Sequence, residues 1–336
     1  LTYKATQAPI FIEHELKPKQ AVALTTTEPL PSYGSSSYKL FAVNEGKFHV
    51  VNYNSEQQIS SFYQHELVGN AGSTRSISAK GEVWVENTGE ESIYIYGPAQ
   101  YLQVKPIAAN ILTEKTLAQH EALQIKSTEP LRSYETTPFK LSSASAPLLF
   151  DIIRYNRSAQ VNDFYADYVV NGKSAMWSVI SGGETVIENK GITPLTVYAP
   201  SRYIQFTAVP NGLIKQTVVA PNQALKVTSS EPLNSYETAK FKMVAQENKH
   251  LVDLIRYNQQ GQVVNFYPQY AVNRNLTWTI SSKGETWLEN RGDAPLTIYA
   301  PAKYVAFTTI DSGIILKATI APQATVRVTS SEQLNS

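Results

Sequence analysis

Glu231-Pro232-Leu233-Asn234-Ser235-Tyr236 restates a phrase that appears earlier as Glu28-Pro29-Leu30-Pro31-Ser32-Tyr33 and Glu129-Pro130-Leu131-Arg132-Ser133-Tyr134, and that starts again at Glu332-Gln333-Leu334-Asn335-Ser336. The four glutamates stand 101, 102 and 101 residues apart. A fixed spacing of that size is a whole domain rather than one turn of a solenoid, and a unit of ~100 residues can bury its own core. The reading is one module written three times, as repeats 10–110, 111–212 and 213–313. Residues 1–9 read as the end of a preceding module or an extra strand, and 314–336 as the start of a fourth module or an overhanging strand. Two explanations of these ends compete: the chain is a window on a longer array, or its overhanging strands pair with neighbouring molecules.

Outward from that phrase the copies continue to align. Asp151-Ile152-Ile153-Arg154-Tyr155-Asn156 matches Asp253-Leu254-Ile255-Arg256-Tyr257-Asn258 and, more loosely, His49-Val50-Val51-Asn52-Tyr53-Asn54. Gly183-Glu184-Thr185-Val186-Ile187-Glu188-Asn189 matches Gly81 to Asn87 and Gly284 to Asn290. These segments are short, rich in Val, Ile, Thr, Tyr and Phe, and bounded by Gly, Pro and Asn, which is the composition of strands. Trp278 and Ile280 alternate with Thr277, Thr279 and Ser281 at a period of two, and no stretch carries a helical apolar stripe. The predicted fold is all-β: three tandem β-sandwiches, immunoglobulin-like or jelly-roll, each of about seven or eight strands, with partial-module strands at both termini. Asn-x-Gly at Asn87-Gly89, Asn189-Gly191 and Asn290-Gly292 predicts a tight hairpin through left-handed residues. Leu102, Ile204 and Val305 read as core, which turns the recurrent Tyr101, Tyr203 and Tyr304 outward as a candidate contact surface.

Composition narrows the function by exclusion. The 336 residues carry 29 Lys and Arg against 28 Asp and Glu, a net charge of +1. That balance gives no electrostatic footprint for nucleic acid or an anionic membrane surface, and no apolar run approaches the ~20 residues of a spanning helix, so neither nucleic acid nor membrane insertion is expected. Cysteine is absent, which removes disulfides and thiolate chemistry. There is no phosphate loop, nucleophile elbow or calcium loop, so no cofactor is expected.

Several residues that could carry chemistry have plainer readings. None of the five histidines recurs between copies, so a repeated metal or acid–base role for His does not fit. Glu82/Glu86, Glu184/Glu188 and Glu285/Glu289 do recur, but residues four apart on one strand are separated by ~13 Å, too far to share a bond between them as a glycosidase pair does. They read as structural hydrogen-bond acceptors. Lys39, Lys140 and Lys242 with Asn87, Asn189 and Asn290 have the residue types of the intramolecular Lys–Asn cross-links found in cysteine-free bacterial fibre modules, a likeness of residue types only. Arg154 and Arg256 read as ion-pair partners of Glu129 and Glu231 or as strand-end clamps. Trp177 and Trp278 read as core, with Arg75 in their place in the first copy; Trp84 and Trp287 give way to Val186 in the middle copy, which argues against a sugar platform needed in every module.

In general design the chain resembles the tandem β-sandwich stalks of bacterial surface fibres and adhesins, a likeness of architecture alone. The expectation is a non-enzymatic, secreted or surface-displayed structural protein that self-associates head to tail or laterally. The alternatives are a carbohydrate-binding adhesin, whose partner would be a glycan, and a segment of a phage or virus fibre.

Overall fold

A computed structural model describes residues 10–26, 34–128, 135–229 and 238–329. The repeated Glu-Pro-Leu phrase, including Glu129 and Glu231, and residues 1–9 lie outside these. The described chain is all strand, turn and loop. In the first module β1 is Phe11–Leu16, β2 Ala21–Thr26, β3 Ser35–Phe41, β4 Gly46–Tyr53, β5 Ile59–Val68, β6 Ser73–Ser78, β7 Glu82–Asn87, β8 Ile93–Pro98 and β9 Leu102–Ile107. The second module runs from β10 (Leu112–Leu117) to β18 (Ile204–Val209) and the third from β19 (Ile214–Val219) to β27 (Val305–Ile310). The first two modules belong to one compact unit and the third to another.

Each module is a sandwich of two antiparallel sheets, ordered β1-β8-β3-β6 and β5-β4-β7-β2-β9 in the first copy and equivalently in the others. This is the strand order of a jelly roll with a ninth strand added beside the second; an immunoglobulin sandwich would group its strands differently. The chain changes sheet at almost every turn, and within a module only β4 and β5 are consecutive neighbours. The core lies between the sheets. Leu16, Leu24, Tyr38, Leu40, Phe48, Val50, Val85 and Ile95 are among its members in the first module, and Phe139, Leu141, Phe150, Ile152, Ile187 and Val197 in the second. Leu102, Ile204 and Val305 are buried as the alternation predicts.

The Asn-x-Gly reading is corrected. β7 and β8 lie in different sheets, so this turn crosses the sandwich instead of closing a hairpin, and none of the three glycines has a positive φ. The buried asparagine holds the crossing together. Asn87 Nδ2 donates to the carbonyls of Leu16 at 2.8 Å and Glu91 at 2.7 Å, while its Oδ1 accepts from Gly89 N at 3.0 Å. Asn189 and Asn290 repeat the pattern. Glycine is required by proximity: a Cβ on Gly89 would sit 2.9 Å from Lys47 N.

A second device recurs on the β4–β5 hairpin. The register slips between Phe48 and Val50, and the bulged residue His65 takes φ 53°. Its amide is caught by His49 Nδ1 at 3.0 Å. In the second module Asp151 Oδ1 catches Asp167 N at 2.7 Å, and in the third Asp253 Oδ1 catches Gln269 N at 2.7 Å. The buried carboxylates take a cation that the histidine does not need: Lys190 Nζ stands 3.8 Å from Asp151 and Arg291 Nε 2.7 Å from Asp253, while Thr88 occupies that position in the first copy.

The partial-module strand expected at 314–336 does not form among described residues 314–329, which are largely exposed and outside any ladder. Their equivalents in the three modules pair with strands of the later half of the same module.

Candidate functional site

The most elaborated polar and aromatic surface in the described residues is the joint between the first and second modules. Its foundation is the segment that joins them. Glu86, near the end of β7 and only 6% exposed, accepts Asn110 N at 2.8 Å and Ile111 N at 3.0 Å through its two carboxylate oxygens. The same clasp recurs wherever a module ends. Glu188 holds Gly212 N and Leu213 N at 2.8 and 3.0 Å, and Glu289 holds Gly313 N and Ile314 N at 2.9 and 3.0 Å. A carboxylate facing two amides is a charge-assisted bond, stronger than a neutral pair. Lys190 stands 3.6 Å from Glu188 and Arg291 2.9 Å from Glu289. This assigns the second recurrent glutamate a structural task.

With the linker fixed, Ile111 and Leu112 of the second module drop into an apolar cluster with Ala21, Val51, Tyr53 and Phe62 of the first. Tyr203 belongs to the same cluster and is 5% exposed. It sits in the turn before β18, with Tyr203 N bonded to Pro200 O at 3.4 Å. Its hydroxyl donates to Gln57 O at 2.8 Å. That carbonyl is presented by the β4–β5 loop, where Asn54 Oδ1 accepts from Glu56 N and Gln58 N and Gln57 takes φ 63°.

Arg202, beside Tyr203, is the cationic half of the contact. Its guanidinium lies 5.1 Å from the Tyr53 ring, 5.2 Å from the Trp84 ring and 5.1 Å from the Tyr203 ring. It donates to Gln57 Oε1 at 3.1 Å and stands 3.6 Å from Glu82. Glu82 is held in place by a bond from Trp84 Nε1, and Tyr53 packs edge-on to Trp84 at 5.1 Å. Planar cation, aromatic walls and carboxylate are the combination that suits arginine over lysine. At the margin Gln58 Nε2 donates to Glu135, and His65 lies 3.9 Å from Glu114 and 5.8 Å from the Tyr198 ring. Burial, reinforced by Lys47, holds the His65 pKa below its ordinary value. Burial and then Glu114 raise that of Tyr198.

The sequence-derived candidates fall out unevenly. Tyr203 is a contact residue, but it is buried in the joint and does not project outward. Tyr304 is also buried, at 4%, with Lys303 Nζ 4.9 Å from its ring, while Tyr101 is half-buried. The outward reading fails because each tyrosine precedes its strand and lies in a turn, where strand alternation no longer sets direction. The cross-link residues are not brought together: Lys39 is exposed on the four-stranded sheet, Asn87 is fully buried at the end of a strand in the other sheet, and both Nδ2 hydrogens of Asn87 are engaged. Lys140 with Asn189 and Lys242 with Asn290 are divided between sheets in the same way.

Trp177 and Trp278 pack beside the core in aromatic clusters with Tyr165 and Tyr168, and with Tyr267 and Tyr270. Arg75 fills the same place in the first module by lying 5.2 Å from Phe48 and 5.4 Å from Tyr63 and pairing with Glu66 at 3.2 Å. Arg256 lies 6.0 Å from the Trp278 ring. Sequence reasoning missed Arg202, because its counterparts are Gln100 and Lys303, and set aside Trp84, because its counterpart is Val186. A basic residue preceding a recurrent Tyr was the available signal. No protein-family model matches this chain, and no curated protein matches it significantly.

Proposed function

We propose that this chain is a non-enzymatic structural protein of the cell surface or extracellular space, a tandem β-sandwich array that builds a fibre, filament or surface layer through contacts between modules. The joint is the observation that carries this reading. Its clasp is repeated at every module end, and its centre combines a buried apolar cluster, a cation between aromatic rings and a buried tyrosine hydroxyl bond. Flexibly tethered domains have no need of such a contact; a series of modules that must transmit tension does. The reading extends to self-association and takes the absence of cysteine as suited to an exposed protein made without disulfide chemistry. Electron microscopy and sedimentation velocity of the purified protein test it: polymers or concentration-dependent oligomers are expected, and a strictly monomeric protein at high concentration would count against assembly. The glycan-binding alternative loses two of its three tyrosine platforms to burial, and a glycan array is its direct check.

A further inference from the structure

Along one side of the first module the edge strands of the two sheets, β5 and β6, stand apart around a cleft of about 380 Å³. Asn52, Ser61 and Tyr63 line it from one sheet, and Arg75, Ser76 and Ser78 from the other. Three of these positions differ in character from the sister modules. Where the first module has Asn52, Ser61 and Arg75, the second has Arg154, Asp163 and Trp177, and the third has Arg256, Asn265 and Trp278. In the third module the Arg256 guanidinium lies 6.0 Å from the Trp278 ring, which packs 5.4 Å from Tyr267. In the second, Trp177 packs 5.9 Å from Tyr165. A long cation on one sheet and an indole on the other fill the space between the edges. The first module has a short amide in place of the first, and its Arg75 is drawn onto Phe48 and Tyr63 at 5.2 and 5.4 Å.

The same differences change what faces the opening. In the second module Asp163 bonds the Tyr165 hydroxyl, and in the third Asn265 Nδ2 donates to the Tyr267 hydroxyl at 2.8 Å. Ser61 is too short to do this for Tyr63. Its Oγ instead accepts from Asn52 Nδ2 at 2.8 Å and keeps its own O–H to donate. Tyr63 is 43% exposed, and Ser76 and Ser78 are exposed beside it. Arg75 is paired with Glu66 at 3.2 Å, so the walls offer hydroxyls, an amide and an aromatic ring with their charges balanced.

We propose that this cleft is a binding site for a neutral saccharide, carried by the first module at a place that the other two modules fill with their own side chains. The volume falls within the range of small-ligand sites, about 300–1,000 Å³. A pyranose ring has an apolar face and a rim of hydroxyls. The Tyr63 ring supplies a surface for the first, and Ser61, Ser76, Ser78 and the Tyr63 hydroxyl supply both donors and acceptors for the second. An acidic ligand is disfavoured because Glu66 already takes the cation. The inference does not rest on the structural-array reading; it adds a ligand to a protein whose modules are joined in series.

Isothermal titration of the full chain with cellobiose, maltose, lactose and chitobiose, and with glucuronate as the acidic probe, tests this. At least one disaccharide should bind saturably at one site per chain, with a Kd of about 1 mM or below. Asn52→Arg places in the cleft the residue that both sister modules hold there, and should weaken that binding at least about tenfold by taking the ligand's space. Tyr63→Ala removes the stacking surface and should weaken it about tenfold. No saturable binding of any disaccharide, binding unchanged in both variants, or glucuronate bound more tightly than every disaccharide would each overturn the proposal. Unchanged thermal unfolding confirms the fold of each variant; should either unfold, Ser61→Asp, which supplies the second module's own partner for the tyrosine hydroxyl, replaces it and should likewise weaken binding. None of these outcomes bears on polymer formation, so failure here leaves the array reading as it stands.

Discussion

The hydroxyl of Tyr203 in the second module, a residue only 5% exposed, donates to the backbone carbonyl of Gln57 in the first at 2.8 Å. Tyr203→Phe keeps the ring and removes that bond, which should cost about 1 kcal/mol. Tyr203→Ala also empties the space between Tyr53 and Leu112 and should cost about 3 kcal/mol. Denaturant unfolding of the full chain measures both, and equal effects for the two would show that the hydroxyl, not the ring, carries the contact.

Removing a clasp leaves a buried donor without its acceptor. Glu86→Ala strands the buried amide of Ile111 and frees the exposed one of Asn110, at a cost of about 1–3 kcal/mol. Glu86→Gln retains an acceptor and should cost about 1 kcal/mol. Faster hydrogen exchange at Asn110 and Ile111 in the alanine variant, without faster exchange in the second-module core, is the expected signature.

Acid should act in opposite directions on the first two modules through one structural position. His49 is lowered to about 4 by burial, with His65 and Lys47 adding to it. A group lowered on folding contributes stability above its unfolded value of about 6.5, and loses it as pH falls from there towards 4. Asp151 is raised to about 6 by burial, against the opposing pull of the Asp167 amide and Lys190. A raised carboxyl contributes below its unfolded value of about 3.9, and that contribution disappears as pH rises through 6. Between pH 7 and 5 the first module should therefore weaken and the second gain, each by about 1–2 kcal/mol. Hydrogen exchange resolved by module checks this, and His49→Asn should clearly reduce the loss in the first, leaving the smaller part that belongs to His65. Parallel shifts in both modules, or an undiminished loss in His49→Asn, would refute it.

The Lys–Asn cross-link makes a sharp mass prediction. With the Asn87, Asn189 and Asn290 amides committed to carbonyls at 2.7–3.0 Å, the intact mass should equal the calculated mass, with no ammonia lost.

Much of this fold was legible because it was written three times. Recurrence located the modules, and period-two alternation placed Leu102, Ile204 and Val305 inside. Strand order was not legible, since pairing in a jelly roll joins segments distant in sequence, such as Phe11–Leu16 with Ile93–Pro98. Asn87 looked like a hairpin residue because its type suits turns; its buried side chain instead ties a crossing to β1. The joint was hardest to read. Recurrence rewards residues kept in every copy, such as Tyr203, and discounts Arg202 and Trp84, which act as a pair within one contact.

That pair offers the most direct test of the claim that the modules are locked together. Arg202→Gln and Trp84→Val, singly and combined, introduce residues that sister modules already hold at these positions. Denaturant unfolding of the three variants and wild type should give a coupling energy of about 1 kcal/mol. Losses that simply add, to within about 0.3 kcal/mol, would mean that the cation and the ring do not hold the joint, and the mechanical account would fall with it.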